Sequence, residues 1–202
     1  RRESRVIYPP VAVEKFIPKK KVKRDDYFLA GGRLARAKRI DLAIKACVKL
    51  GLPLKVFGRP FGDYGEELEK MAQGGKVEFL GEVNDAQLVS LYQRCRAFIF
   101  PAQEEDFGIV PVEAMAAGRP VIALASGGVL ETIIPGKTGE FFEKPTASSL
   151  AHVLASFNDT LYNSEDCIKQ ARKFSEERFK REIEKIISEK LMKNQKSVTR
   201  NV

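Results

Sequence analysis

The chain has 202 residues, of which 44% are hydrophobic and 31% charged, a composition typical of a globular protein with one sizeable core and not of a disordered chain. No apolar stretch is long enough to cross a bilayer, and the opening RRESRVIYPP lacks the apolar segment of a secretion signal. The formal net charge of +8 favours anionic partners, such as nucleic acid, anionic lipid or phosphorylated ligands.

Strand-like and helix-like segments alternate along the chain up to Pro145. The former are rich in β-branched and aromatic residues, and the latter carry apolar residues at helical spacing. Strands are predicted at 27–31, 53–58, 76–81, 96–100, 120–124 and 139–142, and helices at 40–50, 64–73, 86–95, 110–117 and 128–134. Asn84 with Gln87 predicts a capping box before the third of these helices. The alternation predicts an α/β fold, a Rossmann-like parallel sheet flanked by helices on both faces.

The two ends of the chain differ from this pattern. Residues 1–24 are Pro-rich and predict an extended linker leading into a Rossmann-like domain at 25–160. Beyond Pro145 the chain is helical at 146–157 and 164–192, so residues 161–192 form C-terminal helices, and 193–202 are predicted to be a frayed tail. The last helix carries an apolar stripe that needs a partner surface: Phe174, Phe179, Ile183, Ile186, Ile187 and Leu191.

The cysteines and the histidine limit the chemistry. Cys47, Cys95 and Cys167 are widely spaced and form no CxxC pair, which argues against a disulfide framework and favours a reducing cytosol. His152 is the single histidine and lies in a predicted helix, where a packing or surface role is expected. We therefore expect no metal site.

The positive charge is concentrated in two clusters, PKKKVKR at 18–24 and the region from Arg172 onward. Each cluster alone is most simply a solvated polar face. Neither has the interleaved aromatic residues of a single-strand binder, so nucleic acid is not an expected partner.

The stretch EEDFGIVPVEAMAAGRPVIA at 104–123 predicts a ligand site. Pro111 in the first turn and Gly118 after the last turn bracket a short helix. Its free backbone amides, from about Phe107 to Val110, and the helix dipole favour an anion. Gly108 would allow the backbone to approach a ligand closely.

Two glutamates flank this helix start. Glu105 follows the strand at 96–100, at the edge where open α/β sheets bind ligands, and Glu113 is placed in the first helical turn. Carboxylates that accept from hydroxyls, beside amides that donate, suit a hydroxyl-rich ligand. The simpler alternative is that both glutamates only stabilise the helix N-terminus.

Two glycine pairs lie at the same predicted edge. Gly31–Gly32 suits a tight turn, and Arg33 and Lys38 after it could pair with phosphates or merely solvate a loop. A third glycine is missing, so this is not the dinucleotide fingerprint. Gly127–Gly128 open another helix and could approach the same ligand.

Several motifs occur in a characteristic order: VIYPPV, GGRL…KRIDLAIKA, LKVFG, VEFLGEV, RAFIFPAQEEDFGIVPVEAMAAGRPVIA and GGVLETI…GKTGEFF. Over residues 5–185 they resemble the C-terminal half of family four retaining glycosyltransferases, which have the GT-B architecture. KRIDLAIKAC together with EEDFGIVPVEA is most similar to mannosyltransferases of polysaccharide and lipopolysaccharide assembly. Arg39 departs from the glycine of many members, and VFGRPFGDYG replaces their usual Gly-x-Gly-Pro turn.

The resemblance implies roles for individual residues. Three residues would be catalytic. Glu105 would bind sugar hydroxyls, and Arg33 and Lys38 would hold the donor diphosphate. Glu113 would bind the ribose, and the base would lie near Gly58 and the turn at 79–83. The other implied donor-binding residues are Gly32, Leu80, Phe107, Gly108, Ile109 and Val110. No metal or other cofactor is implied, because the two cations and the helix dipole would stabilise the departing diphosphate.

The resemblance also implies partners. The donor would be GDP-mannose, with a UDP-sugar as the second option. The glycan or lipid-linked acceptor would bind through an N-terminal domain, without which the isolated chain is expected to be inactive. An anionic membrane surface is a further expected partner, which would place a cytoplasmic enzyme on the inner face of the membrane.

Two other classes of function stay open at the level of sequence. One is a non-enzymatic nucleotide-sugar sensor or scaffold that uses the same pocket. The other is a basic RNA- or membrane-binding module, whose binding would depend steeply on salt and not on Glu113.

Overall fold

The computed structural model describes residues 4–198, and its centre is a six-stranded parallel sheet. The strands follow the order β3-β2-β1-β4-β5-β6. Their bounds are β1 Phe28–Gly31, β2 Leu54–Phe57, β3 Val77–Gly81, β4 Phe98–Phe100, β5 Val121–Leu124 and β6 Gly139–Phe142. The strand order reverses between β1 and β4. The connections that leave the carboxyl ends of these two neighbouring strands therefore run in opposite directions, which leaves a crevice between them, here called the switch point.

Helices cover both faces of the sheet, which confirms the predicted fold class. They are α1 Ile40–Leu50, α2 Tyr64–Ala72, α3 Asp85–Arg94, α4 Ile109–Ala116, α5 Val129–Thr132, α6 Ala147–Ser156, α7 Ser164–Arg172 and α8 Glu176–Val198. One hydrophobic cluster joins the sheet to α1, α2 and α6, and a second joins it to α3, α4 and α7. β4 and β5 are wholly buried between these clusters, which explains why they have no polar alternation.

The predicted capping box at the start of α3 is confirmed. Asn84 Oδ1 accepts a hydrogen bond from the Gln87 amide, and Gln87 Oε1 accepts one from the Asn84 amide, each at 2.9 Å. Two of the free amides at the helix start are thereby satisfied by side chains.

Part of the segment predicted as a linker belongs to the core. Val11, Val13 and Phe16 are buried, with a 3-10 turn at Val13–Lys15 between them. The Val11 amide donates to the Phe174 carbonyl at 2.9 Å. Residues 11–16 therefore fix the start of the chain against the end of α7, which an extended linker would not do.

The C-terminal helical stretch is broken where the sequence predicts continuity. α7 ends at Arg172 and α8 begins at Glu176. Between them, Phe174 is buried edge-on against Tyr8 and Phe107, with ring centroids 5.4 Å apart in both pairs. Burying this ring stabilises the break.

α8 extends to Val198, beyond the predicted end at residue 192, and 199–202 of the predicted tail lie outside the described residues. Ile187 and Leu191 of the apolar stripe are exposed. Within residues 4–198, no helix combines the length and apolarity needed to cross a membrane.

Candidate functional site

Two adjoining cavities lie at the carboxyl edge of the sheet. The smaller, of about 230 Å³, lies at the switch point between the ends of β1 and β4. The larger, of about 820 Å³, lies beyond the ends of β1, β2 and β3. Gly32 and Arg33 line both cavities, so a ligand with two linked parts can occupy them together.

The smaller cavity brings most of the predicted site residues together. Its lining includes Gly32, Arg33, Lys38, Glu105, Gly108, Ile109 and Val110. Lys38 Nζ forms an ion pair with Glu105 Oε2, and both side chains are partly buried. The pair neutralises two charges that were predicted to contact different parts of a ligand. A phosphate that binds Lys38 would weaken the pair and leave the carboxylate to accept from hydroxyls.

The loop before α4 presents backbone amides to this cavity. Gly108 is the N-cap of α4 with φ of 84°, a left-handed conformation that costs little only for glycine. Among the described residues, no protein group accepts a hydrogen bond from the amides of 107–110. These amides and the dipole of α4 favour an anion. The Phe107 side chain, in contrast, belongs to the core, and its ring packs against that of Tyr8 with the ring centroids 5.9 Å apart.

Gly127 and Gly128 hold the loop before α4 in place by packing against its backbone. The Gly128 amide donates to the Glu105 carbonyl at 2.7 Å and is thus already used by the protein. A methyl group on Gly128 would lie 2.5 Å from Phe107 Cα, so only glycine permits this contact. The Gly128 amide is therefore not free for the ligand that this pair was predicted to approach, and Gly128 positions the loop instead.

Glu113 does not lie in the first turn of α4, contrary to the sequence prediction. The helix begins at Ile109, which puts Glu113 one turn later, and it lines neither cavity. Its Oε2 accepts a hydrogen bond from the buried Tyr92 hydroxyl at 3.2 Å. Burial raises the pKa of Glu113, an effect that the Tyr92 hydrogen bond and Lys15 partly offset.

The larger cavity begins at Gly32 and Gly58, which directly follow the ends of β1 and β2. Gly58, with φ of 122°, lies so close to the Gly32 carbonyl that a side chain there would collide with it. The Gly58 amide donates to the Gly81 carbonyl at 2.7 Å, which ties the ends of β2 and β3 together. Of the predicted turn at 79–83, Glu82 and Val83 line the cavity, whereas Leu80 packs on the core.

Sequence reasoning missed part of this cavity wall. Arg59, Phe61 and Leu88 also line the larger cavity, and the Phe61 ring is exposed. The available signal was the run VFGRPFGDYG, because it directly follows a strand at the carboxyl edge.

Arg39 adopts a backbone conformation that glycine accepts more readily than other residues. Its φ of 52° is left-handed, and its side chain compensates by bonding Asp41 Oδ1 through Nε at 3.1 Å. Asp41 is buried and is also contacted by Tyr64 at 3.2 Å and Lys45 at 3.4 Å. Burial alone would raise the pKa of Asp41, but Arg39 and Lys45 outweigh it and lower the pKa.

The cysteines contribute nothing to the cavities. All three are buried free thiols, and burial raises the pKa of Cys47, Cys95 and Cys167 to about 12. In the part of the chain that the structure describes, no group of three or more His, Cys, Asp or Glu side chains could hold a metal ion.

Comparison with known proteins identifies relatives of this chain. The family model described as glycosyl transferases group 1 matches residues 13–174. The human alpha-1,3/1,6-mannosyltransferase ALG2 is 33% identical over 180 residues, which cover 75% of this chain and 43% of that protein. The chain thus spans less than half the length of this curated relative.

Solved structures share the fold at lower identity. Sucrose-phosphate synthase from Thermosynechococcus elongatus superposes with a TM-score of 0.77 at 23% identity, over 91% of this chain and 52% of that one. Anabaena HepE, solved in complex with UDP and glucose, superposes with a TM-score of 0.75 at 21% identity. The match covers 92% of this chain and 57% of that one. The chain belongs to the glycosyl transferases group 1 family and has the Rossmann-like fold of a GT-B glycosyltransferase domain.

Proposed function

We propose that this chain is the nucleotide-sugar-binding domain of a retaining hexosyltransferase. The observation that carries the proposal is the convergence of Arg33, Lys38, Glu105 and the free amides at 108–110 on one cavity at the switch point. Cations, amides and a carboxylate in one small space match a ligand with adjoining phosphates and hydroxyls.

Each group has a separate role in the proposed reaction. Arg33, which lines both cavities, and Lys38 hold the diphosphate and stabilise its charge as the sugar leaves. Glu105, released from Lys38, accepts hydrogen bonds from sugar hydroxyls. The bond between the sugar and the diphosphate breaks as the acceptor oxygen bonds to the same face of the sugar, and the departing diphosphate takes the hydroxyl proton, so the configuration is retained.

The nucleoside is assigned to the larger cavity. The close approach of Gly32 and Gly58 leaves room for a base against backbone, and the exposed Phe61 ring offers a stacking surface. Glu113 lines neither cavity, so its proposed contact with the ribose, through the carboxylate oxygen that Tyr92 does not contact, rests on the family resemblance alone. Leu80 supports the wall from the core side.

Mannose from GDP-mannose is the favoured donor because ALG2, a mannosyltransferase, is about one third identical to this chain. A UDP-sugar is the second option, since the Anabaena structure contains UDP. The glycan or lipid-linked acceptor is assigned to a further domain, because the chain spans about half of its relatives. The isolated chain would then bind donor without transfer, in the cytoplasm or at the inner face of an anionic membrane.

Calorimetric titration tests the donor site. GDP, UDP, ADP and GDP-mannose are titrated into the wild-type chain, Arg33→Ala and the control Lys70→Ala, which removes an exposed charge that lines neither cavity. We expect one nucleotide to bind selectively. Loss of a charge-assisted hydrogen bond, about 1.5–3 kcal/mol, should weaken it about tenfold or more in Arg33→Ala and leave Lys70→Ala unchanged.

The same titration on the two-domain protein resolves a negative result. Binding that appears only there means that the cleft needs both domains. If the two-domain protein also fails to bind, or if Arg33→Ala binds as wild type does, the proposed donor site is wrong.

A further inference from the structure

A second charged cavity lies at the opposite edge of the sheet. Residues 18–24 lead towards the amino end of β1, and Arg119 lies two residues before the start of β5. Together with the start of α7 they enclose a cavity of about 690 Å³, here called the basal hollow. Its cationic lining is Lys19, Lys20, Lys21, Lys23, Arg24 and Arg119, and its single acidic residue is Glu165. Because the strands are parallel, the basal hollow faces away from the two cavities of the donor site.

Arg119 is a buried cation without an acidic partner. It is only 4% exposed, and no carboxylate among the described residues forms an ion pair with it. Its Nε donates to the Gln93 carbonyl at 2.8 Å. Burial, and then repulsion by Arg24, lower the pKa of Arg119. A buried charge without a counter-ion is costly, so an external anion at this position would be stabilising.

The surrounding acids do not neutralise the lysines. Arg24 is bound to Asp159 at 3.0 Å, while Asp25 pairs with Arg94 at 2.7 Å. Within the described residues, Lys19, Lys20, Lys21 and Lys23 are exposed and form no ion pair. Ser164 and Glu165, at the positive end of the α7 dipole, lie in the same lining. The basal hollow therefore keeps a net positive potential.

We propose that the basal hollow is a second anion site, distinct from the donor site, that binds the phosphate groups of a soluble polyphosphate or of an anionic lipid headgroup. The site does not depend on the proposed function, because it shares no residue with the donor cavities. Leu161, which is 77% exposed, lies between Asp159 and Tyr162, whose carbonyls accept hydrogen bonds from Arg24, so an apolar contact is available near the charges.

Two variants of equal charge test the basal hollow. Lys19→Gln/Lys20→Gln/Lys21→Gln removes three charges from it, and Lys49→Gln/Lys70→Gln/Lys76→Gln removes three exposed charges elsewhere. Each is titrated with inorganic pyrophosphate by calorimetry, and sedimented with vesicles of phosphatidylcholine with and without phosphatidic acid. Because both variants have the same net charge, general attraction of anions would fall equally in both.

We expect the basal variant to lose affinity about tenfold or more, and the control about twofold at most, for at least one probe. Loss confined to phosphatidic acid vesicles assigns the site to a lipid headgroup, and loss confined to pyrophosphate assigns it to a soluble phosphate. Equal losses in the two variants would overturn the proposal. Single-stranded RNA is titrated in the same way. If RNA binds more tightly than either probe and the basal variant loses that binding, the surface is assigned to nucleic acid and the proposal is also overturned.

Discussion

Replacing Gly128 by alanine should disturb the donor site through the backbone, without changing any group proposed to touch the ligand. The new methyl carbon would lie 2.5 Å from Phe107 Cα and 2.7 Å from the Asp106 carbonyl carbon. Carbon atoms not bonded to each other prefer about 3.5–4.0 Å, so the loop must move by roughly 1 Å. Gly128 has φ of −65°, so backbone strain adds nothing to this clash.

The expected cost follows from three contributions. Overpacking costs about 1–3 kcal/mol, and weakening the Gly128–Glu105 hydrogen bond costs about 1 kcal/mol. Alanine also lowers the conformational entropy of the unfolded chain, which stabilises the folded state by about 0.4–1 kcal/mol. The net loss of unfolding free energy should be about 1–3.6 kcal/mol, which lowers Tm by about 2–14 °C in a domain of this size.

Urea unfolding followed by circular dichroism measures this loss, and calorimetric titration measures nucleotide affinity. The matched control is Gly136→Ala, after the same short helix, where nothing lies within 4 Å of the new methyl group and φ is 71°. Gly136→Ala should lower the unfolding free energy by about 1 kcal/mol, because alanine is disfavoured in the left-handed conformation, and should leave nucleotide affinity unchanged. Gly128→Ala should weaken nucleotide binding about tenfold or more, because the amides at 107–110 shift with the loop. The reasoning fails if Gly128→Ala is as stable as wild type and binds equally well.

Four further changes test other parts of the structure. Glu113→Gln should raise the unfolding free energy near pH 7.5 by up to about 1 kcal/mol, because a raised folded pKa penalises the charged form; the gain should vanish as the pH falls through that pKa. Asp41→Asn should instead cost about 2–4 kcal/mol near pH 7.5, and this cost should shrink as the pH falls towards its lowered folded pKa; urea unfolding over a pH series checks both signs. Asn84→Ala should cost about 1 kcal/mol through loss of the capping box, seen as a lower urea midpoint with an unchanged slope. Phe174→Ala should cost about 3–5 kcal/mol by opening a cavity beside Tyr8 and Phe107, and a thermal melt no lower than that of the exposed control Leu161→Ala would contradict this packing.

Local pattern was sufficient for the elements of this fold. The helix over 40–50 and the strand over 139–142 have the predicted bounds, since apolar spacing and neighbouring glycines act within a few residues. The capping box needs only residues three apart. The place of Arg33, Lys38 and Glu105 at one edge also follows from sequence, because every parallel strand ends there.

Tertiary structure decided what these residues contact. The sequence does not indicate that Lys38 pairs with Glu105, that Glu113 binds Tyr92, or that Gly128 packs against Phe107, because each pair joins distant segments. The break between α7 and α8 likewise depends on a buried site for Phe174, whose spacing alone fits a continuous helix. The basal hollow has the same origin: PKKKVKR is a simple run of charge in sequence, and only the fold sets it beside the buried Arg119.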